Sequence, residues 1–178
     1  MYARRSAYVH TSGASSRPCN AESSRPIHPA ARDPARPHDT KDSDHALIAG
    51  LENGDGFRPW LSDDASWPDM AFVHGKGRYT TVDRVVIADD WQDLTDGTLD
   101  AAIALDENGA LLELEAVFTN TTSDGTPIST EDHCEGWTSV FDPNVTRAGW
   151  STEIDASWTD GTTAPCDTNA RLYCFEQD

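Results

Sequence analysis

The amino-acid sequence predicts an α+β domain of mostly short strands and long loops, closed by disulfides and preceded by a disordered N-terminal arm. Three observations indicate this fold class. Runs rich in β-branched and aromatic residues are short, and turn signals separate them every 8–15 residues. Four cysteines occur without the close C-x2-C pairs of a zinc site. All six tryptophans lie beyond residue 44, so we expect the hydrophobic core there.

Residues 1–44 are predicted to form the disordered arm, and residues 45–178 the domain. Residues 1–38 carry six arginines, two acids and five of the ten prolines, but no Leu, Phe or Trp. Such a composition buries too little apolar surface to offset the entropy that is lost when the chain becomes ordered. Residues 39–178, by contrast, carry a net charge of −22.

The first elements of the domain are predicted from local patterns. Residues 45–51 have the pattern of a helix end, because Asn-Gly and Asp-Gly pairs follow them. Residues 79–88 are predicted to form one strand, since the run is rich in Val, Ile and Thr. A short capped helical turn is predicted at 89–94, where two aspartates precede Trp91.

The second half of the domain is predicted to be built from short strands and turns. Residues 103–105 and 111–118 are expected to pair as a hairpin across the turn at 106–109. Short elements at 136–140 and 170–175 complete the prediction, and the last of these carries a cysteine within an apolar run.

Charge and hydropathy exclude several classes of partner. The chain of 178 residues has a net charge of −18 and a mean hydropathy of −0.58. No stretch approaches the roughly 20 apolar residues that span a bilayer, so no membrane span is expected. Nucleic acid is an unfavourable partner, because binding depends on Lys and Arg at the phosphates. The remaining partners are cations, neutral sugars and proteins.

The cysteines predict a disulfide framework in an exported protein. Cys19, Cys134, Cys166 and Cys174 allow three pairings, and buried free thiols are the alternative. Arg4 and Arg5 would suit a leader, but no apolar segment follows them, so no signal peptide is visible in this chain. A cytoplasmic protein with a basic tail is therefore the competing interpretation.

Several motifs resemble those of a known family. The run Trp158-Thr159-Asp160-Gly161, followed by Cys166 and by Cys174 on a final apolar run, is similar to the end of a C-type lectin-like domain. Residues 45–178 more closely resemble a bacterial secreted and cell-surface domain family of unknown function, which is grouped with the endostatin-like and C-type-lectin-like folds. Further motifs carry this resemblance: Gly50-Leu51, Phe57 to Asp63 (FRPWLSD), Ala88 to Gly97 (ADDWQDLTDG), the Asp106-to-Gly109 turn, Cys134 to Ser139 (CEGWTS) and Ala170 to Phe175 (ARLYCF).

The resemblance also predicts where this chain departs from the family. The family carries an N-terminal strand, and then a helix that bears the first cysteine shortly before the Trp-Leu-Ser-Asp run. Here Cys19 lies far upstream, so residues 1–44 are not expected to be native to the family. The sheet would then lack its first strand and Cys174 would lack its partner. Cys134 and Cys166 are expected to pair.

A calcium site is one function that the resemblance suggests. Glu131 and Asp132 precede Cys134, and Asp160 matches the last acid of the lectin Trp-Asn-Asp motif. These carboxylates are the oxygen ligands that calcium takes. Thr159 replaces the asparagine, however, and the Asp-Pro-Asn run comes after Cys134 rather than before it. The turn at 106–109 is a near miss to an EF-hand loop, for which a plain hairpin turn is the alternative.

Direct recognition by aromatic rings is the second function that we consider. Trp137, Trp150 and Trp158 lie in or beside turn-rich segments, where exposed rings would stack on sugars or anchor a protein interface. Burial of these rings is the alternative. Trp60 and Trp91 lie among apolar residues and are predicted to belong to the core.

Catalysis has little support in the sequence. His133 adjoins Cys134, but neighbouring side chains on an extended segment point to opposite faces. No nucleophile elbow, zinc-protease helix or phosphate loop is present. We therefore expect a non-enzymatic, extracellular recognition or adhesion domain that binds a protein or a glycan at a bacterial surface. A calcium-stabilised structural or carbohydrate-binding module is the alternative, and a hydrolase is a third interpretation.

Overall fold

The computed structural model describes residues 5–10, 56–140 and 144–177, and it confirms the α+β class. Two sheets are present in this part of the chain. The five-stranded sheet contains, in spatial order, β2 (Phe57–Pro59), β8 (Leu172–Glu176), β1 (Arg5–His10), β3 (Tyr79–Thr81) and β4 (Val86–Ala88). The three-stranded sheet contains β5 (Ala116–Phe118), β6 (Val145–Trp150) and β7 (Thr162–Pro165).

Helical segments in the described residues are short. They comprise α1 (Pro68–Ala71), α2 (Trp91–Leu94), a four-residue turn at Cys134–Trp137 and a 3-10 turn at Ala156–Trp158. Among these residues, no helix has the length and apolar character needed to span a bilayer.

Strand β1 lies at the centre of the larger sheet, although its sequence was assigned to the arm. It pairs antiparallel with β8 and parallel with β3. Ala7 and Val9 are fully buried against the main core. The predictions of a disordered arm and of a missing first strand are therefore wrong for Arg5–His10, because the segment pairs with a strand on each edge and buries Ala7, Tyr8 and Val9. Residues 11–44 lie outside the described residues.

The run at 79–88 forms two strands rather than the single predicted strand. β3 and β4 pair antiparallel, and the chain reverses between them. Arg84 occupies the left-handed region at the reversal, with φ of 75°, and its N–H donates to the Thr81 carbonyl oxygen at 2.8 Å. The turn was missed because β-branched residues flank it and no glycine marks it.

The turn at 106–109 is a hairpin turn, as the alternative to an EF-hand loop predicted. An Asp106 carboxylate oxygen accepts hydrogen bonds from the N–H groups of Asn108 and Ala110, both at 2.8 Å. Leu105 and Leu111 form a single antiparallel bridge across it. The predicted pairing of 111–118 with 103–105 ends at this bridge, since β5 pairs with β6 instead.

Other local predictions have mixed outcomes. Helix α2 forms where expected, with an Asp90 carboxylate oxygen accepting from the Asp93 N–H as its cap. Strand β8 confirms the final apolar run. The described part of 136–140 contains no strand, and residues 45–51 lie outside the described residues.

Trp60 is the centre of the main core. Its fully buried indole contacts the rings of Phe72, Trp91, Trp158 and Phe175, with centroid separations between 5.0 and 6.0 Å. The core prediction for Trp60 is confirmed, while Trp91 is half-buried and packs against the edge of the same cluster. This cluster joins the two sheets and supports the loops between them.

Two buried tyrosines predict an alkaline limit to stability. Burial raises the pKa of Tyr173 far above its ordinary value, and burial is also the main cause of the raised pKa of Tyr79. Because these phenols ionise more readily in the unfolded chain, their contribution to stability is complete below a pH of about 10 and is lost as the pH rises above it. Alkaline titration should show the Tyr173 phenol ionising only as the protein unfolds. The Tyr173→Phe variant should lose stability less steeply above that pH, and an equal slope would contradict this assignment.

Candidate functional site

The predicted disulfide between Cys134 and Cys166 is present. The sulfur atoms are bonded at 2.07 Å and the Cα atoms lie 5.7 Å apart. Both residues are buried in a second cluster with Phe118 and Trp137. Cys174 is also disulfide-bonded, so the expectation that it lacks a partner is wrong. Cys19 lies outside the described residues.

An unusual backbone turn begins at Cys134, one of the two cysteines of this disulfide. Cys134, Glu135, Gly136 and Trp137 have φ values of 51°, 56°, 68° and 63°, so the turn is left-handed. L-residues adopt this conformation at a cost of roughly 1–2 kcal/mol each. The Gly136 N–H donates to the Nδ1 atom of His133 at 2.6 Å, which assigns His133 a structural role. No local sequence signal distinguishes such a turn.

Removal of this disulfide should destabilise the protein strongly. A link across a sequence separation of 32 residues is worth roughly 3–4 kcal/mol in the loop-entropy model. The double variant Cys134→Ala/Cys166→Ala should lower the free energy of unfolding by this amount and free the left-handed turn. Urea unfolding of oxidised wild type and variant measures the difference. A loss below about 1 kcal/mol would show that the turn holds without the link.

The tryptophans that were predicted to bind a ligand are mostly structural. Trp158 is fully buried between Trp60 and Tyr173, and Trp137 is 8% exposed and packs on Phe118. Neither indole offers a free ring face to a ligand, so the prediction gives way to its alternative of burial. Trp150 is half-buried.

The predicted calcium ligands are not gathered into a site. Asp160 forms an ion pair with Arg147, whose Nε atom donates to a carboxylate oxygen at 2.8 Å. Glu131 and Asp132 are exposed on a different loop. Within the described ranges, no group of three or more His, Cys, Asp or Glu side chains is arranged to hold a metal ion. The Arg147 guanidinium thus pairs with the carboxylate that the lectin resemblance assigned to calcium.

The family-like motifs instead build a buried hydrogen-bond network. The Trp60 indole N–H donates to the Thr159 hydroxyl at 2.8 Å, and that hydroxyl donates to the Thr121 carbonyl oxygen at 2.7 Å. The Asn120 amide donates to the carbonyl oxygen of Ser62 at 3.2 Å. All these residues are buried. The Trp-Leu-Ser-Asp and Trp-Thr-Asp-Gly runs are thus parts of one scaffold. Their contact could not be predicted, because the two runs lie far apart in the sequence.

Neither a protein-family model nor a curated protein matches this chain. The site must therefore be assigned from the chemistry of its own surface.

An exposed surface of a different composition lies beside α1 and α2. The His74 imidazole stacks on the Trp91 indole, with centroids 4.2 Å apart and planes inclined by 7°. The His74 Nε2 atom lies 2.8 Å from the Asp69 carbonyl oxygen and 3.7 Å from its carboxylate. Met70 and Val73 are 54% and 52% exposed. We call these five residues the His74–Trp91 face.

Hydrogen bonds fix the backbone of this face on several sides. The N–H of Trp91 donates to the Gly75 carbonyl oxygen at 3.1 Å, which joins α2 to the loop after α1. The Val73 N–H donates to the Gln177 side chain at 2.9 Å, and the Arg5 guanidinium donates to the Val73 carbonyl oxygen. The loop is thereby tied to both β1 and the end of β8.

The face is continuous with the main core. Phe72 is buried, and its ring contacts Trp60 at 5.9 Å and Trp91 at 6.1 Å. The next two residues, Val73 and His74, are both exposed, so the chain leaves the core directly after Phe72. This surface has no recognisable sequence signature, because a Met on α1 and the Val and His that follow the helix form no known motif. The property that marks this surface is the solvent exposure of its apolar side chains, and exposure cannot be read from a sequence.

Proposed function

We propose that this protein is a non-enzymatic extracellular recognition and adhesion domain that uses the His74–Trp91 face to bind a ligand at a bacterial surface. The observation that carries the proposal is the exposure of Met70 on α1 and of Val73, which precedes His74, the residue whose ring stacks on Trp91. Exposed apolar side chains that group together on a surface often mark an interaction site.

The fold that we propose is C-type-lectin-like or endostatin-like. Three features support it: a short N-terminal strand paired with the last strand, a disulfide between Cys134 and Cys166, and a bonded Cys174 on the last strand. The resemblance implies an N-terminal strand, and β1 provides one. The buried network at Trp60 and Thr159 accounts for the shared motifs as elements of a scaffold.

Secretion or display at the cell surface is supported by the cysteine chemistry. Disulfides persist in oxidising compartments and are rare in the reducing cytosol. Cys134, Cys166 and Cys174 are all disulfide-bonded and buried, and structural bonds of this kind suit an exported protein.

Binding is favoured over catalysis by the roles of the described histidines. His133 accepts from the Gly136 N–H, and its Nε2 atom donates to the Thr130 carbonyl oxygen at 3.0 Å. The neighbouring Cys134 is disulfide-bonded and is not a nucleophile. His74 stacks on Trp91 and contacts Asp69 in the exposed face. Calcium is disfavoured as a ligand of Asp160, since the Arg147 guanidinium pairs with its carboxylate.

A binding array tests this proposal. The oxidised full chain should bind at least one member of an array of cell-surface proteins, matrix proteins and glycans. The double variant Met70→Ser/Val73→Ser should lose that signal, whereas Leu111→Ser/Leu114→Ser should retain it. Leu111 and Leu114 are also strongly exposed, at 79% and 58%, and therefore make a matched control. A flat array with folded wild-type protein would refute the proposal.

A further inference from the structure

We propose that the Cys134–Cys166 disulfide is a redox-sensitive switch, which holds the turn at Cys134–Trp137 in its left-handed form and releases it on reduction. Cys134 and Trp137 belong to the second cluster, whereas Trp91 of the His74–Trp91 face packs against the main core. The switch is therefore a property of the fold that is separate from the proposed binding surface.

Backbone strain is the first feature that favours release of the turn. Cys134, Glu135 and Trp137 have side chains, yet their φ values of 51°, 56° and 63° all lie in the left-handed region. Residues other than glycine enter this region singly, because the left-handed helix brings each Cβ atom too close to the following carbonyl oxygen. They persist there only where the surrounding structure fixes them, and such positions cluster at switch regions.

The Trp137 side chain is the second feature that favours release. Its ring is 8% exposed, and its indole N–H has no hydrogen-bond acceptor within the described residues. A buried donor without an acceptor carries the full cost of leaving water. Movement of the turn towards the solvent would allow this N–H to bond to water and would remove that cost.

The disulfide opposes both features by fixing the first residue of the turn. Cys134 is bonded to Cys166, which directly follows β7. Within the turn, the Trp137 N–H donates to the His133 carbonyl oxygen at 2.9 Å. A right-handed turn makes a hydrogen bond of the same sequence spacing, so this bond does not itself require the left-handed form. We therefore assign the selection of that form to the covalent link.

Reduction of the link is a two-electron thiol exchange. A thiolate of a dithiol reductant attacks one sulfur atom, forms a mixed disulfide and releases the other cysteine as a thiolate, which takes up a proton. The second thiol of the reductant then displaces the remaining cysteine, and the reductant leaves as a cyclic disulfide. Cys134 is 3% exposed, but Asp132 and Glu135 on either side of it are exposed, so a small local opening admits the reductant.

The main core has its own support and should remain folded. The cluster around Trp60 contains neither Cys134 nor Trp137, and Cys174 on β8 is bonded in a separate disulfide. The opening should therefore be local, as it is for segments that unfold at a lower free energy than the whole domain.

Hydrogen exchange on the full chain tests the switch. Dithiothreitol is added in steps, and alkylation with peptide mapping identifies the chains in which Cys134 and Cys166 are thiols. In these chains the amides of residues 135–138 should exchange about tenfold faster or more, while β1 and β8 keep their protection. Reoxidation should restore the slow exchange. The double variant Cys134→Ala/Cys166→Ala, which retains the bond at Cys174, should show the fast exchange without reductant.

Two single variants connect the opening to its causes. Glu135→Gly removes the conformational penalty at one position of the turn, because glycine adopts a positive φ without steric cost. Reduction of this variant should therefore accelerate exchange less than reduction of wild type. Trp137→Phe keeps a ring against Phe118 and lacks the indole. The fluorescence emission of reduced wild type should move to longer wavelength, and this shift should be absent from Trp137→Phe.

Four results would overturn the inference. Unchanged exchange at residues 135–138 after reduction would show that the turn holds without the bond. Loss of protection in β1 and β8 together with the turn would make the bond a support of the whole fold. Equal acceleration in Glu135→Gly and wild type would remove backbone strain as the cause. A fluorescence shift that persists in Trp137→Phe would place the movement at another tryptophan.

Discussion

Deletion of residues 1–10 is expected to abolish the folded state. These residues include β1, which lies between β8 and β3 and contributes the fully buried Ala7 and Val9 to the main core. Without it, both neighbouring strands would expose unpaired backbone groups, and the core would open to water. The loss should exceed about 5 kcal/mol, which is the whole stability of many domains. Circular dichroism and urea unfolding measure this effect directly.

Point variants separate the role of the strand from the effect of shortening the chain. Val9→Asp places a carboxylate in a fully buried position and should cost several kcal/mol, about as much as a severe core mutation. Ser6→Ala is the control on the same strand, because Ser6 uses its backbone N–H to bond Glu176 and this bond remains. A deletion variant that unfolds with the midpoint of wild type would show that the segment is a dispensable arm.

Gly149→Ala is expected to destabilise the protein by more than about 4 kcal/mol, the range reserved for severe steric damage. A Cβ atom at this position would lie 1.8 Å from the carbonyl oxygen of Trp158 and 2.7 Å from the Cα atom of Thr159. Both are backbone atoms, so no rotation of a side chain can relieve the clash. The collision would push the 158–160 segment away from β6 and break the hydrogen bond between Trp60 and Thr159.

Gly136→Ala is the matched control for this substitution. A Cβ atom at Gly136 meets nothing within 4 Å, but its φ of 68° is strained for alanine. The cost should therefore be about 1 kcal/mol, which is the conformational penalty alone. Thermal unfolding of both variants compares them. Equal shifts in midpoint would contradict the close packing of β6 against the Trp158 backbone.

The parts of the fold that follow from local rules could be predicted from the sequence. The cap at Asp90 and the Asp106 turn both depend on carboxylates that bond nearby N–H groups. Strand β8 combines an apolar run with aromatic residues and is recognisable by composition alone. The Cys134–Cys166 pairing came from the family-like motifs, which place these cysteines in relation to the Trp-Thr-Asp-Gly run.

Features that depend on distant contacts could not be predicted. Strand β1 is short and follows no strong apolar pattern, and it is stabilised by two partner strands that lie far away in the sequence. The left-handed turn at Cys134–Trp137 contains only one glycine among its four residues, so no local residue pattern predicts its backbone conformation. The network between Trp60, Thr121 and Thr159 spans almost a hundred residues of sequence.

The candidate site shows the same limit for individual side chains. Trp158 lies in a turn-rich sequence, yet it is fully buried because the three-stranded sheet and the main core enclose it. His74 and Trp91 stack only because the loop after α1 bonds to the start of α2. Sequence reasoning therefore placed recognition at Trp137, Trp150 and Trp158, whereas the exposed apolar surface lies elsewhere.

The most direct test of the recognition surface is a backbone-amide NMR titration of the oxidised chain with the ligand that the binding array identifies. The largest chemical-shift changes should fall on residues 69–75 and on Trp91, with little change at residues 111–114. Changes concentrated at 131–137 and 150–160 would contradict this placement and would return the binding site to the tryptophan-rich loops.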